Sequence, residues 1–169
     1  MYTESNIKLS CNVLWQKCVL ATLYRAAATH PKIKLLQFKL IPCPGMNKAI
    51  PSLMADFTGE LHRLISEYLQ CKRRKDKSVE PTPLYYLWSR EAMANDTTPY
   101  LMVLLLNNDV WCKSREVVVL RNLIEQAWGK VLDEDNSVEH PVVYPEVLSL
   151  IFDAANTYNA ELGVLEQTA

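Results

Sequence analysis

The chain has 169 residues, 49% of them apolar and 22% charged, with only 4 glycines. That composition excludes collagen-like, low-complexity and disordered acidic chains and points to one packed domain. The apolar run at 100–106 falls far short of the roughly 20 residues that cross a bilayer, and residues 1–6 show no basic segment leading into an apolar stretch. A cytoplasmic protein without a membrane partner is therefore expected.

In chain order, Cys11, Leu14, Trp15, Cys18, Thr22 and Ala26 follow a helical rhythm over 6–30, ended by His30-Pro31. Residues 33–41 alternate (Ile33, Leu35, then Phe38, Leu40) with lysines between, which predicts a strand stopped at Pro42-Cys43-Pro44-Gly45. A second helix follows Pro51-Ser52, with Leu53, Phe57, Leu61, Leu64, Ile65 and Tyr68 on one face. After Pro81-Thr82-Pro83, residues 84–88 predict a buried aromatic strand, and 100–106, apolar on both faces, predict a central one. Ser114 caps a helix carrying Val117, Leu120, Ile124, Ala127, Trp128 and Val131; Val142-Val143-Tyr144 predicts a short strand. Pro145 opens a last helix with Leu148, Ile151, Phe152 and Ala155. The expected organisation is a single domain over 1–169: an N-terminal helix (6–30), a core (33–144) and a C-terminal helix (145–163). The expected fold is α+β, a ferredoxin-like βαββαβ antiparallel sheet with additional N- and C-terminal helices.

The formal net charge of −1 hides an asymmetry. Residues 1–90 hold 14 Lys/Arg against 6 Asp/Glu, and residues 91–169 hold 4 against 13. The basic half peaks at Lys72, Arg73, Arg74, Lys75 and Lys77. Such a cluster can neutralise nucleic-acid phosphates, or sit solvated at a helix C-terminus where cations suit the macrodipole. A third use is docking of complementary halves in a homo-oligomer.

Chemistry is easier to exclude. There is no GxxxxGK[ST] loop, no GxGxxG and no GxSxG. The 5 cysteines form no CxxC pair and are expected to be reduced and structural, with Cys11 and Cys18 sharing a buried helix face. His30, His62 and His140 are too far apart in sequence to be aimed at one ion by a single element. No metal and no cofactor are expected.

A family resemblance enters with the stretch spanning the second and third predicted strands. Tyr86-Leu87-Trp88-Ser89-Arg90-Glu91, followed by Thr98-Pro99-Tyr100-Leu101-Met102-Val103-Leu104-Leu105-Leu106-Asn107-Asn108-Asp109, resembles the inovirus-type gene-two-product family, which includes the YagK/YfjJ prophage proteins. Leu123-Ile124-Glu125-Gln126-Ala127-Trp128 and Val138-Glu139-His140-Pro141-Val142-Val143-Tyr144 extend the likeness, which covers about 33–146. The resemblance implies a rolling-circle replication-initiator-like domain. Such a domain binds single-stranded DNA on its sheet, holds a divalent metal with two histidines on a central strand, and attacks a phosphate with a tyrosine. In this chain the two histidine positions fall on Pro99 and Leu101, and Trp111 stands where a tyrosine is often found. Glu91 and Tyr144 are what remains of the degenerate site.

The expected function is that of a non-catalytic prophage or mobile-element protein, not an enzyme, that binds nucleic acid or a protein partner to regulate or interfere with replication. Its candidate nucleic-acid contacts are Lys72, Arg73, Arg74, Lys75 and Lys77, with Lys34 and Lys39 if the first strand's polar face is open. Tyr85, Tyr86 and Trp88 are either core or base-stacking residues. The alternative is a protein-interaction module, an inhibitor or sensor that meets a phage or host protein in phage–host conflict. Burial of the sheet's open face under the first or last helix would favour it. A third reading is a residual metal-dependent single-strand nuclease using Glu91, His140 and Tyr144.

Overall fold

The computed structural model describes residues 13–43, 50–75, 84–90, 94–95, 98–132, 142–144 and 149–153. Its elements are α1 (Val13–Thr29), β1 (Lys32–Leu40), α2 (Ile50–Lys75), β2 (Tyr85–Ser89), β3 (Tyr100–Asn107), α3 (Asn108–Trp111), α4 (Ser114–Leu132), β4 (Val142–Val143) and β5 (Ser149–Asp153). The fold is mixed α/β. One antiparallel sheet runs in the order β2-β3-β1-β4, and β5 pairs with β1 as well.

Strands β1 and β3 are central and pair along their whole length, from Ile33 opposite Asn107 to Leu40 opposite Tyr100. Side chains alternate across a strand, so each central strand feeds two cores. Leu36, Phe38 and Leu40 with Met102, Leu104 and Leu106 face α2 and α4, meeting Phe57, Leu61, Ile124 and Trp128. Ile33 and Leu35 with Val103 and Leu105 face the other way, against Leu23 and Ala26 of α1. The molecule thus has three layers: α1, the sheet, and the α2–α4 pair. The continuous apolar character of β3 follows from burial on both faces.

Inside the larger core, Trp128 packs edge-on against Phe57 at 5.6 Å between centroids and donates Nε1–H to the Ile41 carbonyl at 3.0 Å. A buried indole needs such an acceptor. Arg90 closes the β2–β3 connection, donating to the carbonyls of Thr98 (3.2 Å) and Asn95 (2.6 Å) with its guanidinium 4.4 Å from the centroid of Tyr100. Asn107 ends β3 by accepting Asp109 N–H at 3.0 Å and starting the single turn of α3.

Four expectations are corrected. The C-terminal helix over 145–163 is not formed at Ser149–Asp153, which is a strand running from Leu36 to Lys32 along β1. A short continuous apolar run carries no decisive period, and the edge of β1 offers unpaired backbone groups that a strand satisfies. In α1, Cys18 is exposed and not on the buried face, whereas Thr22 and Ala26 are buried as expected, with Leu23 beside them; Cys11 lies outside the described residues. Strand β2 is not a buried strand but an edge strand with half-buried side chains and Tyr86 38% exposed. Lys34 is not on an open face: it is 5% exposed and donates to the Trp111 carbonyl at 2.8 Å. Among the described residues no helix is long and apolar enough to cross a membrane.

Candidate functional site

The candidate residues separate to opposite ends of the sheet. Pro99 and Leu101 lie where β3 begins. Leu101 is 7% exposed, points to the α1 side, and has Lys39 of β1 and Ser89 of β2 as its register partners. Lys39 is half-buried and lies beside Val143 of β4. Tyr144 is on the other side of the sheet. Its ring packs against Phe38 at 6.2 Å and under Arg121 at 4.1 Å, and its hydroxyl donates to the Arg121 carbonyl at 3.3 Å. Burial, with Glu125 adding to it, pushes that hydroxyl up to about 12, so it stays protonated at neutral pH. Leu101 and Tyr144 therefore do not share a site. Glu91, His140 and Lys77 lie outside the described residues, and His62 is exposed on α2.

At the far end of β3, about 20 Å from Leu101 at roughly 3.4 Å per residue, the structure gathers cations from two helices. Lys72, Arg73, Arg74 and Lys75 form the last turn of α2. Helix α4 begins beside them, bringing Lys113 and Arg115, both exposed. The junction is Glu116, which accepts from Tyr68 Oη and Lys72 Nζ, with Arg115 Nη2 3.8 Å away. Glu116 is only 2% exposed. Burial pushes its carboxyl up, but the hydrogen bonds from Lys72 and Tyr68 outweigh that and hold it below the usual carboxylate range. Burial likewise pushes Lys72 down, and its bonds to Glu116 and Tyr68 more than reverse this. Tyr68 also stacks on Trp111, 5.7 Å between centroids.

Lys72 is thus a structural cation, committed to a buried carboxylate, and Lys34 is another. Arg73, Arg74 and Lys75 remain exposed. The sequence reading missed Lys113, Arg115 and Glu116. Glu116 did carry a signal: it stands on the apolar stripe of α4, four residues before Leu120 and eight before Ile124, where a carboxylate must find a partner. Lys113 and Arg115 carried none, since nothing local says that two helix ends meet.

A family model, the YagK/YfjJ C-terminal domain, matches residues 13–155. The chain belongs to the YagK/YfjJ C-terminal domain family. No curated protein and no solved structure matches it. The match runs from the start of α1 through β5, so the family model takes in α1 as well as the sheet. Within that domain the Ala127-Trp128 pair is core, fully buried between α2 and the sheet, and Arg90 serves the β2–β3 connection. Among the described residues no group of three or more His, Cys, Asp or Glu side chains is placed to hold a metal ion.

Proposed function

We propose that this YagK/YfjJ-family chain is a non-catalytic protein of a prophage or other mobile element, derived from a rolling-circle replication initiator, that binds nucleic acid to regulate or interfere with replication. The observation that carries the reading is the start of β3. The resemblance assigns the two metal-holding histidines to Pro99 and Leu101, whose side chains have no lone pair to offer. These residues do not fit a divalent ion. The second support is Tyr144, whose protonated hydroxyl is bound to the Arg121 carbonyl on the opposite side of the sheet. Descent from an initiator is supported by the element order. β1-α2-β2 and β3-α4-β4 each return to the sheet one strand away, over β3 and β1 respectively, as in a ferredoxin-like split βαβ fold.

The test is incubation of the whole chain with single-stranded DNA and manganese. Binding at low salt without cleavage or a covalent protein–DNA adduct is expected. An adduct abolished by Tyr144→Phe would restore the nuclease reading built on Glu91, His140 and Tyr144.

One observation favours a second reading, the protein-interaction module acting on a phage or host protein. Helix α1 packs on the sheet face through Leu20, Leu23, Ala26 and Ala27, against Tyr85 and Leu87 as well as the central strands. Base stacking on that part of the sheet is thereby closed. Failure to bind any nucleic acid at low salt would leave this second reading standing.

A further inference from the structure

We infer that the basic end of the molecule, formed where α2 stops and α4 starts, is a docking surface for the phosphate backbone of duplex DNA, read without regard to base sequence. The inference rests on the nucleic-acid reading above and moves the contact away from the start of β3 to the opposite end of the sheet.

Three observations carry it. The first is that charge is concentrated by the fold. Lys72 and Arg115 both reach the same carboxylate oxygen of Glu116, which ties the last turn of α2 to the first turn of α4. Lys75, seven residues beyond Tyr68, continues the face that meets α4, while Arg73 and Arg74 point around the helix end. The second is that the carboxylate at the helix junction is already neutralised. Glu116 is buried under Lys72 and Tyr68, and among the described residues no carboxylate pairs with Arg73, Arg74, Lys75 or Lys113. Side chain Arg115 is 80% exposed. Five exposed cations can thus neutralise phosphates, four of them unpaired among the described residues and Arg115 held only at 3.8 Å from Glu116.

The third observation decides between duplex and single strand. Single-strand surfaces pair their cations with aromatic faces on which unpaired bases stack. Here the aromatic residues next to the cations, Tyr68 and Trp111, are stacked on each other, and Trp111 is buried. What remains is charge without a stacking platform, which suits the ligand with the denser phosphate array, about one charge per 1.7 Å of helix axis.

The experiment is fluorescence anisotropy of the full chain with a labelled duplex of about 20 base pairs, and with one of its strands alone, across a salt series. Five neutralised phosphates give a slope near −4.5 in log K against log salt, about a 500-fold loss from 50 to 200 mM. Duplex is expected to bind more tightly than the single strand. Changing Arg73, Arg74 and Arg115 together to Gln should weaken binding at least tenfold at 100 mM salt and flatten the slope by about 2.7. Two duplexes of unrelated sequence should bind alike. The triple variant alters only exposed side chains, and an unchanged urea midpoint confirms that it folds.

Binding that survives the triple variant overturns this inference and leaves the nucleic-acid reading intact. So does tighter binding of the single strand that is lost in Tyr86→Ala, since Tyr86 is the exposed aromatic of β2. Absence of binding to either probe overturns both.

Discussion

Replacing Lys72 by Met tests whether the Tyr68–Glu116–Lys72 junction contributes to stability or is only decoration. The carboxylate of Glu116 cannot reach water, its side chain being 3% exposed, whereas the Lys72 side chain is 29% exposed. The two partners are therefore not equivalent. Lys72→Met strands a buried negative charge with a single remaining donor, Tyr68. Removing one partner of a buried pair costs about 3–5 kcal/mol, and the surviving Tyr68 bond puts this case near 3 kcal/mol. Glu116→Gln keeps the volume and an acceptor for Tyr68, and the freed ammonium can turn to solvent, so its cost should be about 1 kcal/mol. In the double variant no charge is stranded, so its cost should fall short of the sum by about 1–2 kcal/mol. Urea unfolding followed by tryptophan fluorescence measures all three, with Trp111 beside Tyr68 as a local reporter. The pH dependence gives an independent sign. In the native chain the Glu116 carboxyl is held below its unfolded value, so its stabilisation is complete above about pH 4.3 and is lost as pH falls through the lower folded value. In Lys72→Met burial dominates, the folded value rises above the unfolded one, and stability instead falls as pH rises from about 4.3 to that raised value. A Lys72→Met cost no larger than that of Glu116→Gln, or strictly additive costs, would refute the reasoning.

Two further predictions rest on separate parts of the fold. Burial pushes the His30 imidazole below its ordinary value near 6.5, with Asp109 acting weakly the other way, and its Nε2 has no hydrogen-bond partner among the described residues. The unfolded chain therefore takes up that proton first: stability is full above about pH 6.5 and declines below it, by at most about 1.4 kcal/mol per pH unit. Melting at pH 7.5 and 5.5 should show this decline reduced in His30→Gln; an identical decline would exclude His30 as its source. Trp128→Phe removes the donor to the Ile41 carbonyl and leaves a gap beside Phe57, and should lower stability by about 2–3 kcal/mol. A loss under 1 kcal/mol in a denaturant titration would contradict the packing described.

The long helices and the central strands were legible from spacing alone. Leu53, Phe57, Leu61 and Ile65, like Leu120, Ile124 and Trp128, recur at a helical period that no other backbone can turn to one side, and residues 100–106 admit only burial on both faces. The partition of charge along the chain was equally visible, as was the presence of Pro99 and Leu101 where the resemblance asks for imidazoles. Tertiary structure decided the rest. Residues 149–153 are a strand because the edge of β1 offers them backbone partners, a demand that arises some 110 residues away. Lys34 and Lys72 look alike in sequence to Lys39 and Lys75, yet the first pair is engaged by the Trp111 carbonyl and by Glu116, residues that only folding brings near. The basic end owes its completeness to the meeting of α2 and α4, and its distance from Leu101 to the length of β3. Periodicity is a property of neighbours along the chain, whereas the fate of a charge depends on what the fold sets against it.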